Sequence, residues 1–224
     1  MGNAGWLALI AAISYLLGSI PSAVIISKKV FGFDIREKGS GNPGSTNAFR
    51  VLGWKWGIAV QLIDIAKGVA AVLIAAWLGQ GLQIPNGTWF EDLTLIKIGA
   101  GLFAVIGHVW SAFAGFRGGK GINTALGMLL SVAPVDVSIA AGIFVLAVIM
   151  SGYISLGSLL AAFTVPSSLF VRYNFLNVDI PGYSVLIYFS LAVTLLVIYT
   201  HRSNIKRLLS GRENRFNKLR LIKF

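Results

Sequence analysis

Long apolar runs alternate with short polar clusters along the whole chain. Trp6–Ile26 carries no charge, Gly57–Leu78 holds only Asp64 and Lys67, and Leu93–Ala114 holds only Lys97 and His108. The 50 residues of Ile122–Val171 contain a single charge, Asp136, and Tyr183–Thr200 is the last clear apolar run. A helix of about 20 apolar residues crosses roughly 30 Å of hydrocarbon, so the pattern predicts an all-α integral membrane protein. Gly18 and Pro21 predict a kink near the inner end of the first span, and Lys28 with Lys29 predict its end. Breaks at Ala133-Pro134 and Ser151-Gly152 divide Ile122–Val171 into three helices rather than two.

Charge gives the runs a direction. The chain has 19 Lys and Arg against 8 Asp and Glu, a net charge of +11. Basic residues concentrate on the cytoplasmic side of membrane proteins. Three helices within Ile122–Val171 give seven transmembrane helices, with the N-terminus outside and the C-terminus cytoplasmic. That count leaves only Lys67, Lys97 and Arg172 away from the inner face. Two helices there would put the basic tail His201–Phe224 outside. A five-span version, with re-entrant segments in Ile122–Val171, keeps the same parity.

Composition agrees: 56% of residues are hydrophobic and 12% charged, with mean hydropathy +0.78, whereas soluble domains carry roughly 25% charged residues. The expectation is one polytopic membrane domain, residues 1–224, with working loops at 36–52, 107–124 and 201–213. The basic excess points to anionic lipid rather than nucleic acid. The absence of cysteine excludes disulfides and thiolate metal sites. The first span lacks a basic leader, and Trp6 breaks a myristoylation pattern.

The stretch from Glu37 to Arg50 crowds three glycines with serine, threonine, asparagine and basic residues. Gly39, Gly41 and Gly44 let backbone approach a ligand closely, and successive N–H groups can form a nest for anions. Ser45 or Thr46 is expected to cap a short helix running through Val51, and Lys38 and Arg50 add full charges. A second glycine-rich basic loop, Gly115–Gly121, fails the Walker pattern because Ala114 and Gly121 stand where it needs Gly and Ser or Thr. It keeps Arg117 and Lys120 at a helix start, a second phosphate cradle. His201 to Arg207 is expected to continue the last span as a helix, with His201 and Asn204 on one face.

Asp64 and Lys67 lie three apart on one helix face, where they can pair. Each costs roughly 2.5–3.5 kcal/mol at mid-membrane on insertion scales, which leaves a helix-locking ion pair or a catalytic role open. An organic-phosphate transporter would place its bases at mid-membrane and repeat its span pattern; neither is seen. A phosphatidyl transferase would need an acidic metal motif, and Asp34, Glu37 and Glu213 are too dispersed for a cation site. No metal or cofactor is expected.

Three ordered segments carry a resemblance. They are Gly39-Ser-Gly-Asn-Pro-Gly-Ser-Thr-Asn47 with Arg50, then Gly107-His108 leading to Gly118-Gly-Lys-Gly121 and Thr124, then His201-Arg-x-Asn204-Ile-x-Arg207 with Gly211 and Glu213. Together they resemble the signatures of the acyl-phosphate:glycerol-3-phosphate acyltransferases, small bacterial membrane enzymes, across essentially the whole chain. Asp64 and Lys67-Gly68 resemble a lesser motif of that family. Ser111 stands where the family commonly has proline, which puts the bend before the second loop in question.

The resemblance implies transfer of a fatty acyl group from acyl phosphate to the 1-hydroxyl of glycerol 3-phosphate in the bacterial cytoplasmic (inner) membrane. It would open phospholipid synthesis and depend functionally on an enzyme that supplies acyl phosphate. It implies catalytic roles for Ser40, Arg50, Lys120, His201 and Asn204. Ser40, Arg50, His201 and Asn204 would serve glycerol 3-phosphate, and Gly118, Gly119, Lys120 and Gly121 the acyl phosphate. Substrate contact would extend to Lys38, Gly39, Gly41, Asn42, Gly44, Thr46, Asn47, His108, Arg117, Thr124, Arg207 and Glu213. The base is either His201 or the donor's own phosphate. Thioester-dependent acyltransferases commonly carry His followed five residues later by Asp; here Phe113 follows His108 and Lys206 follows His201 at that spacing.

Overall fold

The computed structural model describes residues 2–84 and 89–215, and the helices among them account for all of the regular structure. Residues 85–88 and those from 216 onward, with the end of the basic tail, lie outside the described residues. The described chain forms two compact units, one up to Val132 and one from Ala133.

In the first unit, α1 (Asn3–Gly18) breaks before α2 (Ser22–Phe31). The kink stands where Gly18 and Pro21 predicted it. Gly18 is required for a second reason, since a Cβ there would run into the carbonyl of Ala104 on the facing helix. Lys28 and Lys29 do not end the helix. They occupy the last turn of α2, where cations suit the C-terminal dipole, and Gly32 ends it at φ 73°. A single 3-10 turn at Ile35–Glu37 leads into the first loop, and α3 (Ser45–Val51) follows it.

α4 (Trp54–Leu78) and α5 (Asp92–Val109) pack on α1. α6 (Ile122–Val132) turns back beside α5, with Gly101 leaving room for Met128. Gly68 and Gly127 bring α4 and α6 to backbone contact, because a Cβ on either would meet the other helix's carbonyl oxygens.

In the second unit, α7 (Pro134–Ser151), α8 (Ile154–Asn174) and α9 (Tyr183–Thr200) pack in sequence, and α10 (Arg202–Leu209) follows. Buried Asp136 near the start of α7 binds Arg172 near the end of α8 at 2.7 Å, which fastens that end of the hairpin. Pro166 inside α8 denies a hydrogen bond to the carbonyl of Ala162 four residues back. Thr194 of α9 donates to that carbonyl at 2.8 Å, so the proline's defect becomes a helix-to-helix contact.

Both predicted breaks in Ile122–Val171 are present, with Pro134 opening α7 and Gly152 closing it at φ 77°. Six helical stretches among the described residues are long and apolar enough to cross a membrane. The remaining predicted span is α6, whose 11 residues reach only about 16 Å at 1.5 Å per residue. The expected count of seven therefore meets six helices of spanning length and one short one.

Candidate active site

The first loop is shaped from beneath by one side chain. Asn47 on α3 is 2% exposed, and its Oδ1 accepts the Ser40 N–H at 2.9 Å. Its Nδ2 donates to the carbonyls of Lys38 at 3.0 Å and Ile35 at 3.3 Å. Gly39 at φ 63° has no room for a Cβ because the Asn47 amide oxygen occupies that position. Asn47 thus holds the loop, and its amide is fully used in doing so. The predicted side-chain cap is absent: Gly44 is the capping residue of α3, Ser45 instead accepts from Asn123 at 2.9 Å, and Thr46 is exposed. Ser45 sits one residue too far into the helix to reach its free N–H groups, and α6 supplies the donor that occupies it.

Asp34 and Arg36 anchor the loop's entrance. Asp34 receives the Arg36 Nε at 3.0 Å and Nη2 at 2.7 Å, together with its backbone N–H, and Lys28 lies 3.1 Å away. Arg36's hydrogen bonds hold the Asp34 carboxyl well below the usual carboxylate range, and Asp34 in turn raises Arg36. The remaining arm of Arg36 donates to the Ala114 carbonyl at 2.7 Å, tying the first loop to the second.

The second loop hangs from the end of α5. The bend before it forms without proline: Ser111 donates its hydroxyl to the Ser19 carbonyl. Gly118 donates its N–H to the Val109 carbonyl at 3.0 Å and Gly119 to the His108 carbonyl at 3.1 Å. Those two N–H groups of the second cradle are therefore bonded inside the protein. The same holds for the N–H groups of Ser40 and Gly41. Sequence reasoning assigned these groups to a ligand because the carbonyls that claim them are invisible in a local motif. Glycine is needed here for approach, since a Cβ on Gly118 would strike the His108 carbonyl and one on Gly119 the His108 ring. Buried His108 meets Thr124 at 3.3 Å, so both residues support the loop from below.

A cavity of about 370 Å³ opens between the two loops, lined among others by Arg36, Glu37, Asn42, Arg117 and Gly118. Arg50, Arg117 and Lys120 are exposed and make no side-chain hydrogen bond or ion pair among the described residues. They are cations on loops where the Ser40, Gly41, Gly118 and Gly119 N–H groups are already bonded. Ser40, Gly41 and Gly121 lie on the same two loops, the last at φ 77° beside Val105. Lys38 lies over the Phe33 ring at 3.9 Å.

In the second unit, His201 interrupts the helix that was expected to run on from α9; it ends α9 and begins α10 with φ −92° and ψ 9°. Side chains compete with the backbone there: His201 Nδ1 sits 2.9 Å from the Val197 carbonyl and Thr200 bonds the carbonyls of Leu196 and Val197. A carbonyl only accepts, so Nδ1 carries a proton and donates to it. Glu213 gathers its neighbours, accepting from Asn204 at 2.8 Å, Arg207 at 2.6 Å and Ser155 at 2.9 Å. The Asn204 bond foremost, then Arg207's, lowers the Glu213 carboxyl. Both carboxylate oxygens are thus engaged, which makes Glu213 and Arg207 supports for Asn204.

A family model described as glycerol-3-phosphate acyltransferase matches residues 8–211. The chain belongs to the glycerol-3-phosphate acyltransferase family. The glycerol-3-phosphate acyltransferase of Chlorobaculum tepidum is 48% identical over 226 positions, covering 93% of this chain and 95% of that protein. The one from Chlorobaculum parvum is 47% identical over 224 positions, covering 92% and 94%. Among solved structures, the chain resembles PlsY (YgiH), an integral membrane glycerol 3-phosphate acyltransferase, in its glycerol 3-phosphate form. The TM-score is 0.67 at 35% identity, over 95% of this chain and 96% of PlsY. The lysophosphatidic acid form of PlsY matches with the same TM-score at 34% identity. The matched residues take in the first two signature segments and the third as far as Gly211.

Proposed function

We propose that the protein transfers a fatty acyl group from acyl phosphate to the 1-hydroxyl of glycerol 3-phosphate, releasing lysophosphatidic acid and inorganic phosphate. The observation that carries this reading is the set of cations, Arg50, Arg117 and Lys120, that have no partner among the described residues, on two glycine-shaped loops tied together by Arg36. Both substrates carry phosphate, and a phosphate needs charged donors more than it needs a catalytic nucleophile.

Acyl phosphate is a mixed anhydride. The glycerol oxygen forms a bond to the acyl carbon, the carbon–oxygen bond to phosphate breaks, and the hydroxyl proton ends on the released phosphate. No covalent enzyme intermediate is needed. Lys120 and Arg117 stabilise charge developing on the carbonyl and leaving phosphate, while Arg50 and Ser40 hold the acceptor in place. His201 and Asn204, which belong to the second unit, are assigned to the acceptor on the motif resemblance alone. With the proton passing to phosphate in the end, the donor can also take it directly. We further propose seven crossings of the bacterial cytoplasmic membrane, the short α6 among them, with the N-terminus outside and all three signature segments facing the cytoplasm.

The test is donor choice. Purified protein in detergent with EDTA turns over palmitoyl phosphate and glycerol 3-phosphate, and does not turn over palmitoyl-coenzyme A. Robust turnover of the thioester in a preparation free of acyl phosphate refutes the assignment.

A further inference from the structure

One buried group has no part in the chemistry above. Asp64 and Lys67 of α4 are 1% and 5% exposed and pair at 3.0 Å. A buried ion pair is weak evidence for stability, because well-packed neutral residues of similar volume often do as well. One carboxylate oxygen, Asp64 Oδ2, is buried with no hydrogen-bond partner among the described residues.

What the pair touches is specific. Lys67 Nζ donates to the Ile20 carbonyl at 3.0 Å, within the break between α1 and α2. Asp64 Oδ1 accepts from Ser22 at 2.7 Å, at the first residue of α2, the helix that delivers the first loop. The same oxygen lies 3.7 Å from His108 Nδ1. His108 in turn carries the second loop through its carbonyl and through the ring that faces Gly119. Gly68, next to Lys67, presses on the Thr124 carbonyl just after Lys120 and Gly121. A narrow void lined by Ser22, Lys67, His108 and Gly119 runs up to Pro43 and Gly118, which it shares with the walls of the larger cavity.

We infer that Asp64 and Lys67 are positioning residues that set the spacing between the two loops, acting through Ser22 and Ile20 on one side and His108 on the other. Apolar residues would fill this volume but could not bind a carbonyl and a hydroxyl in fixed directions while keeping a carboxylate beside the His108 ring. The inference rests on the proposed acyl transfer only for its activity readout.

The chain has no cysteine, so spin labels at Lys38→Cys and Phe116→Cys report the loop-to-loop distance directly. The variant Asp64→Asn with Lys67→Met keeps the volume and removes both charges. Expected are an unfolding temperature close to the parent's, a broadened or shifted distance distribution, and a loss of about 10- to 100-fold in kcat/KM, the scale on which ångström misplacements act. Ser22→Ala, a much milder change, shows the same signs at smaller size and serves if the double variant does not fold. A folded variant with parent-like distance overturns the inference whether or not activity falls, and so does a broadened distance with parent-like turnover. A double variant that fails to fold alongside a parent-like Ser22→Ala makes the pair purely structural and overturns it too. A parent that does not turn over acyl phosphate at all is a failure of the functional reading, and the distance arm still stands.

Discussion

Replacing Asn47 with alanine tests whether the first loop's shape is what makes the site. The substitution removes the bonds to the Ser40 N–H at 2.9 Å, the Lys38 carbonyl at 3.0 Å and the longer contact to the Ile35 carbonyl at 3.3 Å. At about 1 kcal/mol net per hydrogen bond, the loop loses roughly 2–3 kcal/mol of local support, which is about 30- to 150-fold in the population of its native shape. Asn47→Asp keeps the acceptor for Ser40 but loses both donors and sets a carboxylate against two carbonyl oxygens, so it falls at least as far. Gly39→Ala attacks the same contact from the other side, so its effect and that of Asn47→Ala are less than additive when combined. The assay is kcat/KM for glycerol 3-phosphate with saturating palmitoyl phosphate, alongside thermal unfolding in detergent. Asn47→Ala within threefold of the parent, or an aspartate variant more active than the alanine one, refutes the idea that this amide sets the loop.

Lys120→Ala and Arg50→Ala each remove a cation that has no partner among the described residues, so activity drops by at least tenfold, at roughly 1.5–3 kcal/mol per charge-assisted bond, with little change in unfolding temperature. Exposed Lys29→Ala stays within a few-fold, and equal losses at all three positions would mean that generic surface charge is what matters. Asp34 has a depressed folded-state pKa, so its contribution to stability is present above its unfolded value of about 3.9 and is lost as pH falls from there toward the folded value. Thermal unfolding followed from pH 7 to pH 3 therefore shows an acid-side decline that is shallower in Asp34→Asn. Cysteines introduced one at a time at positions 40, 120 and 212 label from the cytoplasmic side and one at position 87 from outside; external labelling at 120 or 212 contradicts the proposed topology.

The sequence by itself determined the helical membrane class, the helix breaks at Gly18–Pro21, Pro134 and Gly152, and the family. Each rests on a local property: an apolar run long enough to span, a Pro134 that cannot continue a helix, a Gly152 that tolerates φ 77°, and three motifs in order. It also placed Asp64 and Lys67 on one face, because a spacing of three on a helix leaves little choice. Tertiary structure decided the partners. The Gly118 and Gly119 N–H groups looked free in the motif, yet the carbonyls of Val109 and His108 claim them once α5 bends. Ser45 looked like a cap until Asn123, 78 residues away, took its oxygen. Glu213 accepts from Asn204, Arg207 and Ser155, the last 58 residues away in the chain. A hydrogen bond depends on which groups arrive within about 3 Å of each other, and arrival is a property of packing across the fold that no local pattern encodes.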